Sequence, residues 1–287
     1  MLENSPVIIV GGGHAGIEAA FALSRLGVRS SIITMDKKAV GRLSCNPAIG
    51  GLAKSHLVKE IDALGGVMGH AADFASLQYK TLNSTKGRAV WSLRAQVDKK
   101  IYPTYIADLI KKNKHIAVVE DEVIKIVVRS GAISGVVLKK NKALSCKGVV
   151  VTSGTFLNGL IHIGLNKYPA GRMGEKGSYG LTESLLDHGL VSGRLKTGTP
   201  PRISRKSVDI KLTKKAEGDF GLFPFSLFTK TTKNINEPCF IVNTNEKTHE
   251  IIHKNIKKSA LFSGQISGVG PRYCPSVEDK IFRFKER

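Results

Sequence analysis

The feature that most constrains the fold is an apolar run that ends in a glycine-rich turn and continues into a helix-forming stretch. Val7–Val10 is short and β-branched, which is typical of a buried parallel strand. Gly11-Gly12-Gly13-His14-Ala15-Gly16 follows, and Ile17–Leu26 then predicts a helix that ends at Gly27. Ser30–Thr34 supplies the next strand. This order predicts the first βαβ unit of a dinucleotide-binding fold.

The spacing of three glycines in this turn indicates the chemistry. Gly11, Gly13 and Gly16 match GxGxxG, which lets backbone N–H groups approach a pyrophosphate at the start of a helix. The acidic residue that usually binds ribose is replaced by Thr34, with Asp36 two residues later. Asp36 or a hydroxyl group can fill that role, so this unit alone leaves FAD and NAD both open.

A later series of short strands favours a flavin. A β-meander that returns through an apolar strand to a small-residue turn is typical of two-dinucleotide flavoproteins, whereas single-cofactor NAD folds usually lack it. The predicted strands are Ile116–Glu120, Val123–Arg129, Ala132–Leu138 and Leu144–Cys146, with turns at Ser130-Gly131 and Asn141-Lys142. The return strand is Val149–Val151, followed by Thr152-Ser153-Gly154-Thr155.

A cysteine lies in a long glycine-rich loop after the second strand. Cys45 is at the centre of Gly41–Gly51, and Leu52–Leu64 is predicted to be a helix. A cysteine near a cofactor can act as a nucleophile or an acid when nearby cations stabilise its thiolate, and Lys54 and His56 are near in sequence. The alternative is a small buried loop residue.

The charge balance suggests a polyanionic partner. Lys and Arg number 44 against 23 Asp and Glu, a formal net charge of +21. RNA phosphates would bind such an excess of Lys and Arg, although compositional bias explains the excess equally well. The stretch from Arg194 to Lys215 holds eight basic residues and one acidic residue, Asp209. It is either a phosphate-contacting surface or a solvated face.

Other features exclude several protein classes. The four cysteines form no CxxC pair, which disfavours a zinc site and a disulfide reductase. No apolar run reaches the roughly 18 to 20 residues that span a bilayer, and Met1–Pro6 leaves no room for a signal peptide, so we expect a cytoplasmic protein without a membrane partner. Near Gly193 the composition changes, and a basic segment with Phe-rich short strands follows (Phe220, Phe223, Phe225 and Phe228).

Seven blocks of the sequence resemble the MnmG (GidA) family of tRNA uridine 5-carboxymethylaminomethyl modification enzymes. They keep the order of that family and cover nearly the whole chain. They are GGGHAGIEAA, SCNPAIGGLAKSHLVKEIDALGG, STKGRAVWSLRAQVDK, VVVTSGTFLNGLIHIG, RLKTGTPPRI, NTNEKTH and GVGPRYCPSVEDKIFRF. The resemblance implies an α/β fold with a Rossmann-like FAD-binding domain of the two-dinucleotide-binding type over residues 1–195. It also implies an inserted smaller α+β domain over residues 196–287.

The resemblance further implies an activity. Family members bind FAD, use NADH, and work with the GTPase MnmE to add an aminomethyl or carboxymethylaminomethyl group to C5 of the wobble uridine of tRNA. The carbon comes from methylenetetrahydrofolate and the nitrogen from glycine or ammonium. Members are homodimers that assemble with MnmE as a heterotetramer.

Site residues follow from the same resemblance. The implied FAD contacts are Gly11, Gly12, Gly13, His14, Ala15, Gly16, Val123 and Ser178. The implied nicotinamide contacts are Gly270, Pro271, Arg272, Tyr273, Cys274, Pro275, Ser276, Val277, Glu278, Asp279, Lys280, Ile281, Phe282, Arg283 and Phe284. The implied catalytic residues are Cys45 and Cys274. For Cys274, a structural turn beside Pro275 is the alternative.

The sequence departs from the family mainly in length. Members are about twice as long, so the FAD domain is predicted to lack the segment that closes it. Arg88 replaces a common proline and Asn243 a common histidine. We expect either an enzyme completed by another chain or a non-catalytic remnant with weak FAD or tRNA binding. A folate-dependent tRNA uracil methyltransferase is disfavoured because that family lacks the SCNPAIGG loop and the basic insert.

Overall fold

The computed structural model describes residues 6–140, 142–219, 221, 224–232, 235–270 and 275–283. The strands are β1 (Val7–Val10), β2 (Ser30–Thr34), β3 (Ala48–Gly50), β4 (Ser76–Leu82), β5 (Ser92–Val97), β6 (Ile116–Glu120), β7 (Val123–Arg129), β8 (Ala132–Leu138), β9 (Ala143–Ser145), β10 (Gly148–Val151), β11 (Leu160–Ile163), β12 (Asn166–Pro169), β13 (Lys214–Ala216) and β14 (Cys239–Ile241). The α-helices are α1 (His14–Arg25), α2 (Ser55–Ala63), α3 (Met68–Phe74), α4 (Ile101–Lys112), α5 (Leu181–Asp187), α6 (Glu246–Asn255) and α7 (Val277–Arg283).

A four-stranded parallel sheet, in the order β10-β1-β2-β6, carries the predicted βαβ unit. Ile9 and Ile32 face one side of this sheet, where α1 packs through Ile17 and Phe21. The predicted strands and the helix between them are confirmed. The helix begins at His14, three residues before the predicted start, because Gly13 already has the extended conformation of an N-cap.

The predicted β-meander covers the other side of the parallel sheet. Strands β7, β8 and β9 form an antiparallel sheet, and β10 then returns to pair with β1. Ile8 and Ile33 pack against Val136 and Leu138, and all four side chains are buried. Each such burial contributes about 1.5 to 3 kcal/mol. The fold class expected of a two-dinucleotide flavoprotein is therefore confirmed by the parallel sheet with its meander.

A second antiparallel sheet has the order β3-β5-β4. Helices α2 and α3 contact this sheet, and α4 contacts both α3 and strand β6 of the parallel sheet. The predicted helix from Leu52 to Leu64 is wrong at its start, because α2 begins at Ser55. Gly51 and Ala53 have φ angles of 94° and 57°. A left-handed residue cannot continue a right-handed helix, so residues 51–54 form a turn.

Asp98 caps the start of α4. Its Oδ1 accepts hydrogen bonds from the backbone N–H groups of Lys100 (2.7 Å) and Ile101 (2.9 Å), and these bonds hold the pKa of Asp98 below its ordinary 3.8. A depressed pKa stabilises the fold above pH 3.8, and this contribution is lost as the pH falls further toward the folded-state value.

We expect Asp98→Ala to lower the free energy of unfolding by about 1 kcal/mol at pH 7, with the difference shrinking below pH 3.8. Urea denaturation across this pH range measures it. Asp108→Ala, at an exposed position of the same helix, is the control and should leave stability unchanged. A deficit that persists at low pH would contradict the cap.

The segment after residue 195 differs from the prediction of Phe-rich strands. Phe225 and Phe228 lie in turns, whereas the strands of this region are β13 and β14; Phe220 and Phe223 lie outside the described residues. The backbone N–H groups of Phe225 and Ser226 bind the carboxylate of Asp73, so they have a partner other than a neighbouring strand. Phe225 is fully buried in the cluster that contains Ile49. The division at residue 195 stays a prediction.

Candidate functional site

The glycine turn lies at the carboxyl end of β1, between β2 and β10. Gly11 has a φ of 108°, and its N–H donates to the carbonyl oxygen of Ile33 at 2.8 Å. A Cβ on Gly11 would lie 2.5 Å from the carbonyl oxygen of Thr152. A Cβ on Gly16 would collide with the carbonyl oxygen of Gly11. These two glycines are therefore required by the close approach of β1, α1 and β10.

Gly13 has a different environment. It is the N-cap of α1, and apart from its two chain neighbours no described residue has an atom within 4 Å of the position that its Cβ would occupy. The first N–H groups of a helix have no intrahelical partners, and the helix dipole adds partial positive charge there. An open space beside such donors fits a diphosphate, so the residues present are suited to a dinucleotide.

Ion-paired side chains follow Gly41, whose N–H donates to the carbonyl oxygen of Gly12 in the glycine turn at 3.0 Å. Arg42 Nη1 binds Glu175 Oε1 at 2.7 Å, and Arg42 Nη2 binds Asp36 Oδ2 at 3.2 Å. Arg172 lies 4.9 Å from the ring centroid of Phe156. Burial lowers the pKa of His14, and the positive charge of Arg172 lowers it further, so His14 favours the neutral state. Both arginines are therefore already ion-paired, Arg42 with Asp36 and Glu175, and Arg172 with Glu175 at 4.0 Å.

Asp36 and Thr34, the two candidates for the ribose contact, are both at the end of β2. Asp36 Oδ1 accepts from the N–H of Lys38 at 2.8 Å and caps a short 3-10 helix, Lys37–Ala39. The Thr34 hydroxyl donates to the carbonyl oxygen of Asp36 at 3.3 Å. The carboxylate thus already holds the local turn and Arg42, and the choice between the two groups stays open.

Val123 and Ser178 lie on neighbouring segments. Val123 is buried at the start of β7, directly after Glu122. Glu122 Oε1 accepts from the N–H of Tyr179 at 3.2 Å, which holds the segment containing Ser178 against β7. A Cβ on Gly180 would lie 3.0 Å from the carbonyl oxygen of Ile124. The two positions are thus brought together, and their role as flavin contacts stays a prediction.

Cys45 is exposed in its loop. Leu43 is buried before it, and the carbonyl oxygen of Pro47 accepts from the N–H of Val97 at 2.8 Å after it. Arg202 Nη2 donates to the carbonyl oxygen of Ser44 at 3.3 Å, so the basic segment touches the cysteine loop. The loop is fixed at both ends and the thiol faces solvent, which excludes the alternative of a buried cysteine.

The described part of the predicted nicotinamide block comprises Gly270 and residues 275–283, and it ends in α7. Lys196 Nζ binds Asp279 Oδ2 at 3.3 Å in a largely buried ion pair, and the N–H of Lys196 donates to the carbonyl oxygen of Val269. Pro271, Arg272, Tyr273, Cys274 and Phe284 lie outside the described residues. The block therefore packs on residues 195–196, and its nicotinamide contacts stay a prediction.

Comparison with known proteins identifies the family. A family model described as glucose inhibited division protein A matches residues 6–287. The chain belongs to the GidA family. The predicted resemblance is confirmed, and an Aquifex aeolicus GidA structure superimposes with a TM-score of 0.90 at 43% identity, covering 98% of this chain and 48% of that one.

Two curated GidA relatives are named tRNA uridine 5-carboxymethylaminomethyl modification enzyme MnmG. The Thermodesulfovibrio yellowstonii protein is 50% identical over 285 residues, and the Campylobacter fetus protein is 49% identical over 284. Each match covers 99% of this chain and 46% of the relative. The chain thus spans about half the length of the curated GidA relatives that it matches.

Sequence reasoning missed three charged residues near the candidate site: Arg42, Arg172 and Glu175. Arg42 and Glu175 are 133 positions apart, and only the fold joins them. The available signal was their position, because each lies in a glycine-rich segment that follows or faces the first βαβ unit.

In the described ranges, no helix has both the length and the apolarity to cross a bilayer.

Proposed function

We propose that this chain forms the flavin-nucleotide-binding part of an enzyme that modifies C5 of the wobble uridine of tRNA. The observation that carries the proposal is the open space at Gly13 beside the N-terminus of α1, which fits a diphosphate. The names of the relatives supply the reaction class. The chain has the fold expected of a dinucleotide-binding part, and its match covers 46% of each of the two relatives.

FAD and NADH are the proposed cofactors. The backbone of Gly11–Gly16 would hold the FAD diphosphate, with Val123 and Ser178 on its adenine and flavin sides. The block that begins at Gly270 would hold NADH. When bound, the reduced flavin would handle the one-carbon unit that comes from methylenetetrahydrofolate.

Cys45 and Cys274 are the proposed catalytic residues. A thiolate can add to a uracil ring, and a thiol can donate a proton to it. Support for Cys45 is its exposure at a loop that is fixed at both ends. Arg202 binds that loop, so phosphates that contact the basic segment would lie near the thiol.

The proposed partners are tRNA, the GTPase MnmE and a second copy of the chain, in the cytoplasm. Not every cation from Arg194 to Lys215 is available to RNA. Lys196 is paired with Asp279, and Arg194 binds the carbonyl oxygen of Asn158. Arg205, Lys206, Lys211 and Lys214 are exposed, and no carboxylate in the described ranges pairs with them.

A chimera tests this function. Residues 6–287 would replace the matching part of the Thermodesulfovibrio yellowstonii relative, in a bacterium that lacks its own enzyme. We expect the wobble modification to return, as measured by mass spectrometry of tRNA nucleosides. Cys45→Ala should abolish it, whereas Ser44→Ala, at the exposed neighbouring position of the same loop, should retain it. A folded, FAD-containing chimera that leaves the uridine unmodified would favour the non-catalytic remnant.

A further inference from the structure

Strands β13 and β14 form a small antiparallel sheet that we call the Phe240 ribbon, residues Lys214–Ala216 and Cys239–Ile241. Its apolar side chains are unusually open to solvent. Phe240 is 44% exposed, Ile241 48% and Val242, the next residue, 71%. A two-stranded sheet is marginally stable by itself, so the attachment of this one to the rest of the molecule decides whether its surface is ordered.

The ribbon is attached to β4 by backbone hydrogen bonds. The N–H of Glu237 donates to the carbonyl oxygen of Leu77, and the N–H of Asp219 to that of Tyr79, both at 2.8 Å. Gln78 Nε2 donates to the carbonyl oxygens of Ala216 (3.1 Å) and Glu237 (2.8 Å). These bonds hold Ala216, at the end of β13, and the residues that flank the two strands, Asp219 and Glu237, while the faces of the ribbon stay exposed.

The register places a lysine beside each large apolar side chain. Lys215 pairs with Phe240 on one face, and Lys214 pairs with Ile241 on the other. Directly opposite side chains in an antiparallel pair have Cβ atoms about 5 Å apart. The neighbouring carboxylate, Glu217, binds Lys215 at 2.6 Å, but both side chains are more than half exposed. Such a surface ion pair is weak and readily exchanged for a phosphate.

We propose that the Phe240 ribbon binds single-stranded RNA, with one base stacked on the Phe240 ring and a backbone phosphate on Lys215, which lies on the same face. Stacking platforms flanked by cations are the usual means of binding single strands, because every base has a π-face. A protein interface is disfavoured because interface cores are depleted of lysine. The proposal deepens the proposed function, on which it rests for the identity of the RNA, since a wobble base lies in the single-stranded anticodon loop.

The test measures binding of a fluorescent single-stranded RNA heptamer to the 287-residue chain by anisotropy. Phe240→Leu keeps an apolar side chain but removes the ring, and we expect about 5- to 100-fold weaker binding. Phe240→Trp should retain the affinity. Lys215→Gln should lower the magnitude of the salt slope by about 0.7. Tyr168→Leu is the matched control, because Tyr168 is 36% exposed in another two-stranded sheet but faces Ile161 in place of a lysine.

Four results would overturn the ribbon as an RNA site. Equal affinity of wild type and Phe240→Leu would show that no base stacks there, and it would leave the proposed tRNA modification intact if the chimera is active. Equal binding of a duplex of the same sequence would exclude single-strand recognition. A change of oligomeric state in Phe240→Ser without a change in RNA affinity would assign the ribbon to a protein interface. Failure of the wild-type chain to bind any RNA would contradict both proposals.

Discussion

Gly16→Ala is expected to destabilise the protein by about 3 kcal/mol, the upper range for forcing atoms into a packed core. Helix propensity alone predicts the opposite sign, because alanine in a helix is favoured over glycine by about 1 kcal/mol. The added Cβ would collide with the carbonyl oxygen of Gly11 and lie 2.8 Å from Thr152 Oγ1. The first atom is backbone and cannot rotate away, so β1 and α1 must separate. Urea denaturation measures the loss.

Gly13→Ala is the matched control in the same turn. Its Cβ would meet no described atom, and the φ of −77° suits alanine, so stability should change by less than about 1 kcal/mol. The methyl group would instead occupy the space proposed for the diphosphate. We expect ADP, measured by calorimetry, to bind about tenfold more weakly, equivalent to about 1.4 kcal/mol. A Gly16→Ala variant as stable as the wild type would show that Gly16 is not required for packing. A Gly13→Ala variant with unchanged ADP affinity would show that the diphosphate does not bind beside Gly13.

Asp73→Ala is expected to lower the free energy of unfolding by about 4 kcal/mol, since three buried donors lose their acceptor at about 1 to 3 kcal/mol each without full additivity. Asp73 Oδ1 accepts from the N–H of Phe225 (2.7 Å) and from the Tyr79 hydroxyl (2.5 Å), and Oδ2 accepts from the N–H of Ser226 (2.8 Å). Burial raises the pKa of Tyr79, so its phenol stays protonated and donates. Urea denaturation gives the total loss.

Hydrogen exchange locates the effect. In Asp73→Ala, the amides of Phe225 and Ser226 should lose protection from exchange. The amides of β1 and β2 should still exchange only through global unfolding. Tyr79→Phe removes one of the three bonds and should cost only about 1 kcal/mol. If Asp73→Ala and Tyr79→Phe were equally stable, the Asp73 carboxylate would not hold residues 225–226 to α3.

The local parts of this fold were predictable. The strand, glycine turn and helix over residues 7–25 are consecutive in sequence, so apolar runs and glycine spacing identify them without any distant contact. The meander followed for the same reason, since its strands β7, β8 and β9 are joined by short turns. The start of α2 was missed because the left-handed conformation of Ala53 is not encoded in its residue type, which normally favours a helix.

The sequence by itself determined the glycine turn at which we propose that a diphosphate binds, because glycines at fixed spacing are a local requirement of the turn from β1 into α1. Only the tertiary structure decided which charges surround that place, since Arg42 meets Glu175 across 133 residues. It alone also decided that Phe225 joins the core, because its N–H is satisfied by Asp73, 152 residues away. A buried polar group takes whichever partner the fold brings near, and no pattern of neighbouring residues specifies that partner.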